Sequence, residues 1–207
     1  QYADWVALGK NRPRKPPLVP FSVLVPPGTY TVHLNLTDQK ESIEVKKDPH
    51  SEGSMADIAA QTDLMQKLYT DMNAVAEKIN SIEKVRRQCL DLEATLAQSK
   101  HKSFVEKIKA VDSAAVALEG KMIQLMYTGK GQDAVRYPVR LAERINYLAG
   151  TVATADFPPT DEQVEVYEML HARLATYAQA YDTFMEEQVQ SLMKEMQDAG
   201  IGALVLE

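Results

Sequence analysis

Cysteine is nearly missing from this sequence of 207 residues: Cys89 stands alone. One thiol excludes an intramolecular disulfide framework and any site built on several thiolates. The four histidines, His33, His50, His101 and His171, are never spaced as a helical metal pair and never stand in a Glu-x-x-His pattern, so neither metal nor cofactor is expected. No stretch approaches the ~20 consecutive apolar residues of a membrane span. No charged-then-apolar leader opens the chain, and a start at Gln1 rather than Met is expected of a chain processed or cut from a longer one. Positive charge is in deficit, with a net charge of −6. Residues 1–50 hold seven Lys/Arg against five Asp/Glu, and the remainder 16 against 24. So acidic a remainder argues against a nucleic-acid footprint.

What is present is apolar residue in quantity, 45% of the chain, arranged with two different periods. The period changes near residue 50. Before it lie short alternating runs and prolines. Thr29 to Leu36 places Tyr30, Val32, Leu34 and Leu36 on one face. Asp38-Gln39-Lys40 reads as a turn, and Ser42 to Lys46 resumes the alternation with Ile43 and Val45 inward. A further strand is expected at Trp5 to Leu8, and the proline-rich stretch from Gly9 to Pro20 reads as an extended connector, with a basic docking strip as its alternative. Three or four strands make a thin sheet that cannot stand alone.

After residue 50 the apolar spacing is helical. Ser54 is placed to cap a first helix whose seam runs Met65, Leu68, Met72, Val75, Ile79, Ile82, Val85, Cys89, Leu92 and Leu96, with one slip between Ile82 and Val85. Ser103-Phe104-Val105-Glu106 reads as a capping box for a second helix with Phe104, Ile108, Val111, Ala115, Leu118, Met122 and Leu125 inward. Gly129-Lys130-Gly131 is a turn; it lacks the strand and spacing of a phosphate loop. Pro138 suits the first turn of a third helix carrying Leu141, Ile145, Leu148 and Val152. Thr160-Asp161-Glu162-Gln163 is another capping box, and Tyr167, Leu170, Leu174, Tyr177, Tyr181, Phe184, Leu192 and Met196 form the stripe of a fourth helix ended by Gly200 and Gly202. The fold class expected is α+β, mostly α: an incomplete immunoglobulin- or fibronectin-like β module over 1–50, then an up-down-up-down four-helix bundle over 51–207 with apolar inward positions.

Several groups could carry chemistry. Paired acids such as Asp161 with Glu162 and Glu165, or Glu186 with Glu187, fall on polar faces or first turns, where solvation and the helix dipole account for them. Cys89 reads as a small core residue, with a reactive thiol beside Arg86 and Arg87 as the alternative. Tyr167, Tyr177 and Tyr181 with Phe184 read as core aromatics, the alternative being a carbohydrate-stacking platform. Arg136, Arg140 and Arg144 follow at four-residue spacing on one face of the third helix. Ion pairs with neighbouring helices are expected of them, and partner docking is the alternative.

Pro27-Gly28-Thr29-Tyr30-Thr31-Val32, the hairpin ending Glu44-Val45-Lys46-Lys47-Asp48-Pro49, Tyr137-Pro138-Val139-Arg140-Leu141, Asp156-Phe157-Pro158-Pro159-Thr160 and Glu165-Val166-Tyr167 occur in this order. The combination resembles the C-terminal region of bacterial proteins with sortilin-like, BNR-repeat β-propellers, often described as glycosyl hydrolases. The resemblance implies a propeller upstream as partner, export to the periplasm, cell envelope or medium, and no catalytic residue carried by this segment. The function expected is a non-catalytic accessory or docking module. The alternatives are a glycosidase with carboxylates at the sheet–bundle junction and an interaction bundle that self-associates.

Overall fold

A computed structural model describes residues 22–127 and 131–202. The strand expected around Trp5, the connector before Pro20, and Phe21 lie outside the described residues, as do Gly129 and Lys130. The described chain opens with a hairpin of two antiparallel strands, β1 (Gly28–Leu34) and β2 (Gln39–Val45). Helices follow: α1 (Met55–Leu96), α2 (Val105–Met122), the short α3 (Asp133–Arg136), α4 (Leu141–Val152) and α5 (Asp161–Thr183). A π-helical segment, Phe184–Gln190, joins α5 to α6 (Ser191–Asp198). The class is therefore α+β and mostly α, with a small antiparallel β piece leading into a helical bundle.

The hairpin turns earlier than its alternation suggests. β1 stops at Leu34, the Thr37 amide donates to the Leu34 carbonyl (3.1 Å), and Asp38 takes the left-handed conformation (φ 54°). Leu36 consequently leaves the strand and is 92% exposed. The register pairs Tyr30 with Ile43, Val32 with Glu41 and Leu34 with Gln39. Directly paired residues share a face. The apolar face is thus apolar only at its root, where Tyr30, Ile43 and Val45 meet, and mixed at its tip. Burial follows: Tyr30 and Val45 are half-buried, and Val32, Leu34 and Ile43 are exposed.

Residues 46–54 carry the chain from the hairpin into α1. Lys47 Nζ donates to the Ser51 carbonyl, and Gly53 is buried against the backbone of Asp156. A Cβ there would overlap the Asp156 carbonyl oxygen, so only glycine permits this approach. Ser54 caps α1 as expected, in a reciprocal box: its Oγ accepts from the Asp57 amide (3.1 Å), and Asp57 Oδ2 accepts from the Ser54 amide (2.7 Å). The hydrogen bonds at Ser54 hold the Asp57 carboxyl below its usual range. Thr160 and Gln163 close the same box at α5. Gly200, with φ 71°, ends α6 while the Ile201 amide donates back to the Met196 carbonyl (2.9 Å).

Two of the expected helix starts move. Ser103 caps nothing; a 3₁₀ turn, Lys102–Phe104, feeds directly into α2. Pro138 lies before α4 rather than in its first turn, and Arg140 is the N-cap residue. There the Glu143 carboxylate reaches back to the Arg140 amide (2.8 Å). Leu125 lies beyond the end of α2 but remains buried.

The helix directions are not up-down-up-down. Asp71 meets His171 and Ser81 meets Tyr181, so α5 runs parallel to α1 at a constant offset of 100 residues. Arg86 meets Asp112 and Lys109 meets Glu93, so α2 runs antiparallel to α1. Gln61 donates to the Val152 carbonyl (2.7 Å), which sets the end of α4 beside the start of α1. α2 and α4 scarcely touch each other, whereas each packs on α1 and α5. They are two halves of one return leg, interrupted by residues 123–140. The bundle is three helices in cross-section: α1 up, α2 then α4 down, α5 through α6 up. The lengths require this. α1, of 42 residues, is roughly 63 Å long, while α2 and α4, of 18 and 12, reach roughly 27 and 18 Å. Neither alone can cover the α1 stripe.

Candidate functional site

The buried charge of this molecule lies at mid-bundle. Arg86 is 1% exposed and is held by three carboxylates. Its Nε donates to Asp112 Oδ1 (3.1 Å), and its Nη1 to Glu119 Oε2 (3.1 Å) and Glu83 Oε1 (3.3 Å). The inward positions are therefore not all apolar, contrary to the seam reading. The signal was in the sequence. A four-residue step from Ile82 lands on Arg86, and the seam's slip to Val85 steps around it. On α2 the stripe Ile108, Asp112, Ala115, Glu119, Met122 keeps the 4-3 alternation beside the apolar seam and brings both acids to the guanidinium. Such a cluster fixes register. One guanidinium is shared among three carboxylates from two helices, so removing it would leave buried acids without that partner.

At the same level the other two legs are irregular, while α1 runs through unbroken. The return leg breaks after Met122, and by the offset of 100 the π segment lies opposite residues 84–90 of α1. Gln124, itself buried, pins the break: its amide N–H donates to Glu143 Oε1 (3.0 Å), its Nε2 to the Pro138 carbonyl (2.8 Å), and its Oε1 accepts from the Met126 amide (3.1 Å). Tyr127 is pushed up in pKa by burial first, then by Glu143 and Asp133. Cys89, buried one turn beyond Arg86, has its thiol pushed up to about 12, chiefly by burial. A thiol so suppressed is a core group and not a nucleophile at neutral pH.

A second polar pair joins α1 and α5. The buried Asp71 carboxylate faces His171 Nδ1 through both oxygens (2.9 and 3.1 Å), and the Tyr167 ring tilts against the imidazole at 5.6 Å. Burial, then Asp71, raises the Tyr167 pKa. Tyr177 is half-buried against the core. The Tyr181 hydroxyl donates to Ser81 Oγ (2.7 Å) under Lys78, whose Nζ is 4.7 Å from the ring centre. Tyr167 and Tyr181 thus lie on the α1–α5 seam, and all three tyrosines are half-buried.

At the sheet–bundle junction a cleft of about 170 Å³ is lined by Val23, Val25, Val45, Ile58 and Met65, with Asp48 and Asp156 at its polar side. Asp48 is exposed and accepts from the His50 amide (2.8 Å). Gln61, also on the lining, is engaged with the Val152 and Ala155 carbonyls.

Arg136, Arg140 and Arg144 do not share one helix face. Arg136 ends α3, Arg140 caps α4, and Arg144 is one turn inside it, with extended backbone between. The ion pairs expected of them do not form: all three are exposed, and among the described residues none has a carboxylate within ion-pairing distance. Among the described residues no group of three or more His, Cys, Asp or Glu could hold a metal ion, and no helix is long and apolar enough to cross a membrane. Comparison with family models, curated proteins and solved structures returns no match for this chain.

Proposed function

We propose that this chain is a non-catalytic accessory module that docks, through its hairpin, against domains preceding it in an exported parent polypeptide. The observation that carries this reading is the hairpin itself. Among the described residues, Val32, Leu34 and Ile43 are exposed on a two-stranded sheet in which both strands are edges. Such a pair is marginal in water and gains from a further strand or a covering surface. The bundle below supplies rigidity, and its buried Arg86 is held by three carboxylates. The resemblance to propeller C-terminal regions supports an upstream β-rich partner in the same protein. Hydrogen exchange tests the docking. With the preceding region of the parent protein attached, amides of 28–45 should gain at least about tenfold protection over the isolated chain. Equal protection in the two overturns the reading.

One observation favours a second reading. Asp48 and Asp156 both line the junction cleft, and a glycosidase uses two carboxyls flanking its scissile bond. Turnover of glycosides by the purified chain, abolished by Asp156→Asn, would establish it in place of the first.

A further inference from the structure

The two edges of the hairpin differ in chemistry. β1 has no Lys, Arg, Asp or Glu, and all of its residues except Tyr30 are exposed. β2 carries Lys40, Glu41 and Glu44 in the same length. Charged side chains on an edge strand deter further pairing, so β2 is guarded and β1 is not. The faces agree with the edges. On the apolar face β1 contributes Tyr30, Val32 and Leu34, while the polar members, Glu41 and Gln39, come from β2. The apolar row therefore lies along the open side of β1. Tyr30 adds an independent sign. Its hydroxyl donates to the Pro26 carbonyl, four residues upstream across the Pro26-Pro27-Gly28 bend (2.6 Å). In Greek-key sandwiches a tyrosine bonded back in this way stands at the start of a strand flanked on both sides, by the strand that follows it and by one from earlier in the chain. β2 supplies the first neighbour. Among the described residues no strand supplies the second.

We infer, resting on the docking through the hairpin proposed above, that the outer edge of β1 and not that of β2 receives an extended strand from the preceding region of the parent polypeptide. The apolar side chains of that strand continue the row of Tyr30, Val32 and Leu34. Main-chain hydrogen bonds supply the attachment, and the alternation of side chains sets its register. The seven residues of β1 offer roughly 23 Å of edge, enough for a strand of ordinary length. A second copy pairing β1 with β1 would lengthen the sheet and leave its apolar face uncovered. A preceding β-rich region can supply both the adjacent strand and the sheet that faces it.

Successive amides of a strand point to opposite edges, so alternate amides of β1 face β2 and the others face outward. Residue-resolved hydrogen exchange reads the two sets separately, in the 207-residue chain and in the same chain with its preceding region attached. The outward amides of β1 should exchange fast in the shorter protein and at least about tenfold more slowly in the longer one. The outward amides of β2 should remain fast in both. No gain anywhere in 28–45 overturns the docking and the edge assignment together. Gain at the outward amides of β2, or gain confined to amides that face between the two strands, overturns the edge assignment and leaves the docking standing. Outward β1 amides already slow in the dilute 207-residue chain would assign the edge to residues 1–21. Slowing that grows with the concentration of that chain would assign it to a second copy. Either result overturns the inference.

Discussion

Arg86 shows how one residue organises its surroundings. Its guanidinium lies where the α1 seam would otherwise place an apolar side chain, and three carboxylates from two helices converge on it. Arg86→Met should cost about 3–5 kcal/mol, because Glu83 and Glu119 would keep their charges without that partner. Replacing Glu83 and Glu119 by leucine in the same variant should recover most of the loss, since well-packed apolar side chains often substitute for a buried ion cluster. Urea midpoints at constant slope would show both effects. Cys89 gives a pH signature. Its folded-state pKa is raised from 9.0 to about 12, so its stabilising contribution is complete below pH 9 and is lost as pH rises from 9 towards 12. Alkaline unfolding should follow that window, less steeply in Cys89→Ala. At neutral pH a thiol reagent should modify the parent only as fast as it unfolds.

Among the elements, the last leg carries an extra residue. Its buried positions run Leu170, Leu174, Phe184, Val189, Leu192 and Met196, so the step from Phe184 to Val189 is five residues. An uninterrupted α-helix would turn Gln188 inward. The π segment absorbs the additional residue and delivers Val189, fully buried, in its place. The stripe read from periodicity passed from Phe184 to Leu192 and missed Val189. Deleting the exposed Glu187 should convert the segment to α-helix with stability within about 1 kcal/mol of the parent. Deleting a residue between 174 and 178 should cost more, because Tyr177, Tyr181 and Phe184, which precede the compensating π segment, would rotate about 100° out of register. On α2, Leu118→Asp should abolish cooperative folding, as the site is buried and offers the new charge no designed partner. The exposed Glu186→Ala should be neutral, and thermal melts would separate the two.

At the scale of the molecule, the three-legged cross-section makes a direct prediction about neighbours. α1 and α5 run parallel, so cysteines replacing Ser81 and Tyr181 should join through a short bifunctional reagent in a Cys89→Ala background. A pair at Ser81 and Tyr167 should not, because it is displaced by about 14 residues, or roughly 21 Å, along the helix. An up-down-up-down bundle would cross α5 over α1 in the opposite sense and lose the constant offset. Mass spectrometry of the linked peptides decides between them.

The local rules were legible in the chain because they are local. The change of period near residue 50, the reciprocal box at Ser54, the box at Thr160, the Gly200 stop and most of the α1 seam depend on residues within one or two turns of one another. The α+β, mostly α class follows from them. What periodicity cannot supply is which stripe faces which, since an apolar residue is equally satisfied by any apolar neighbour. Four helical segments with short connections therefore suggested four antiparallel legs. Only the packed structure puts α2 and α4 in series, because neither is long enough alone and the two, with the interruption between them, run the length of α1. The inward position of Arg86 was legible, but which acids meet it, and the Asp71–His171 pair, were hidden for the same reason. A charge can be buried only where its complement arrives from a distant part of the chain, and that arrival is a property of the tertiary fold.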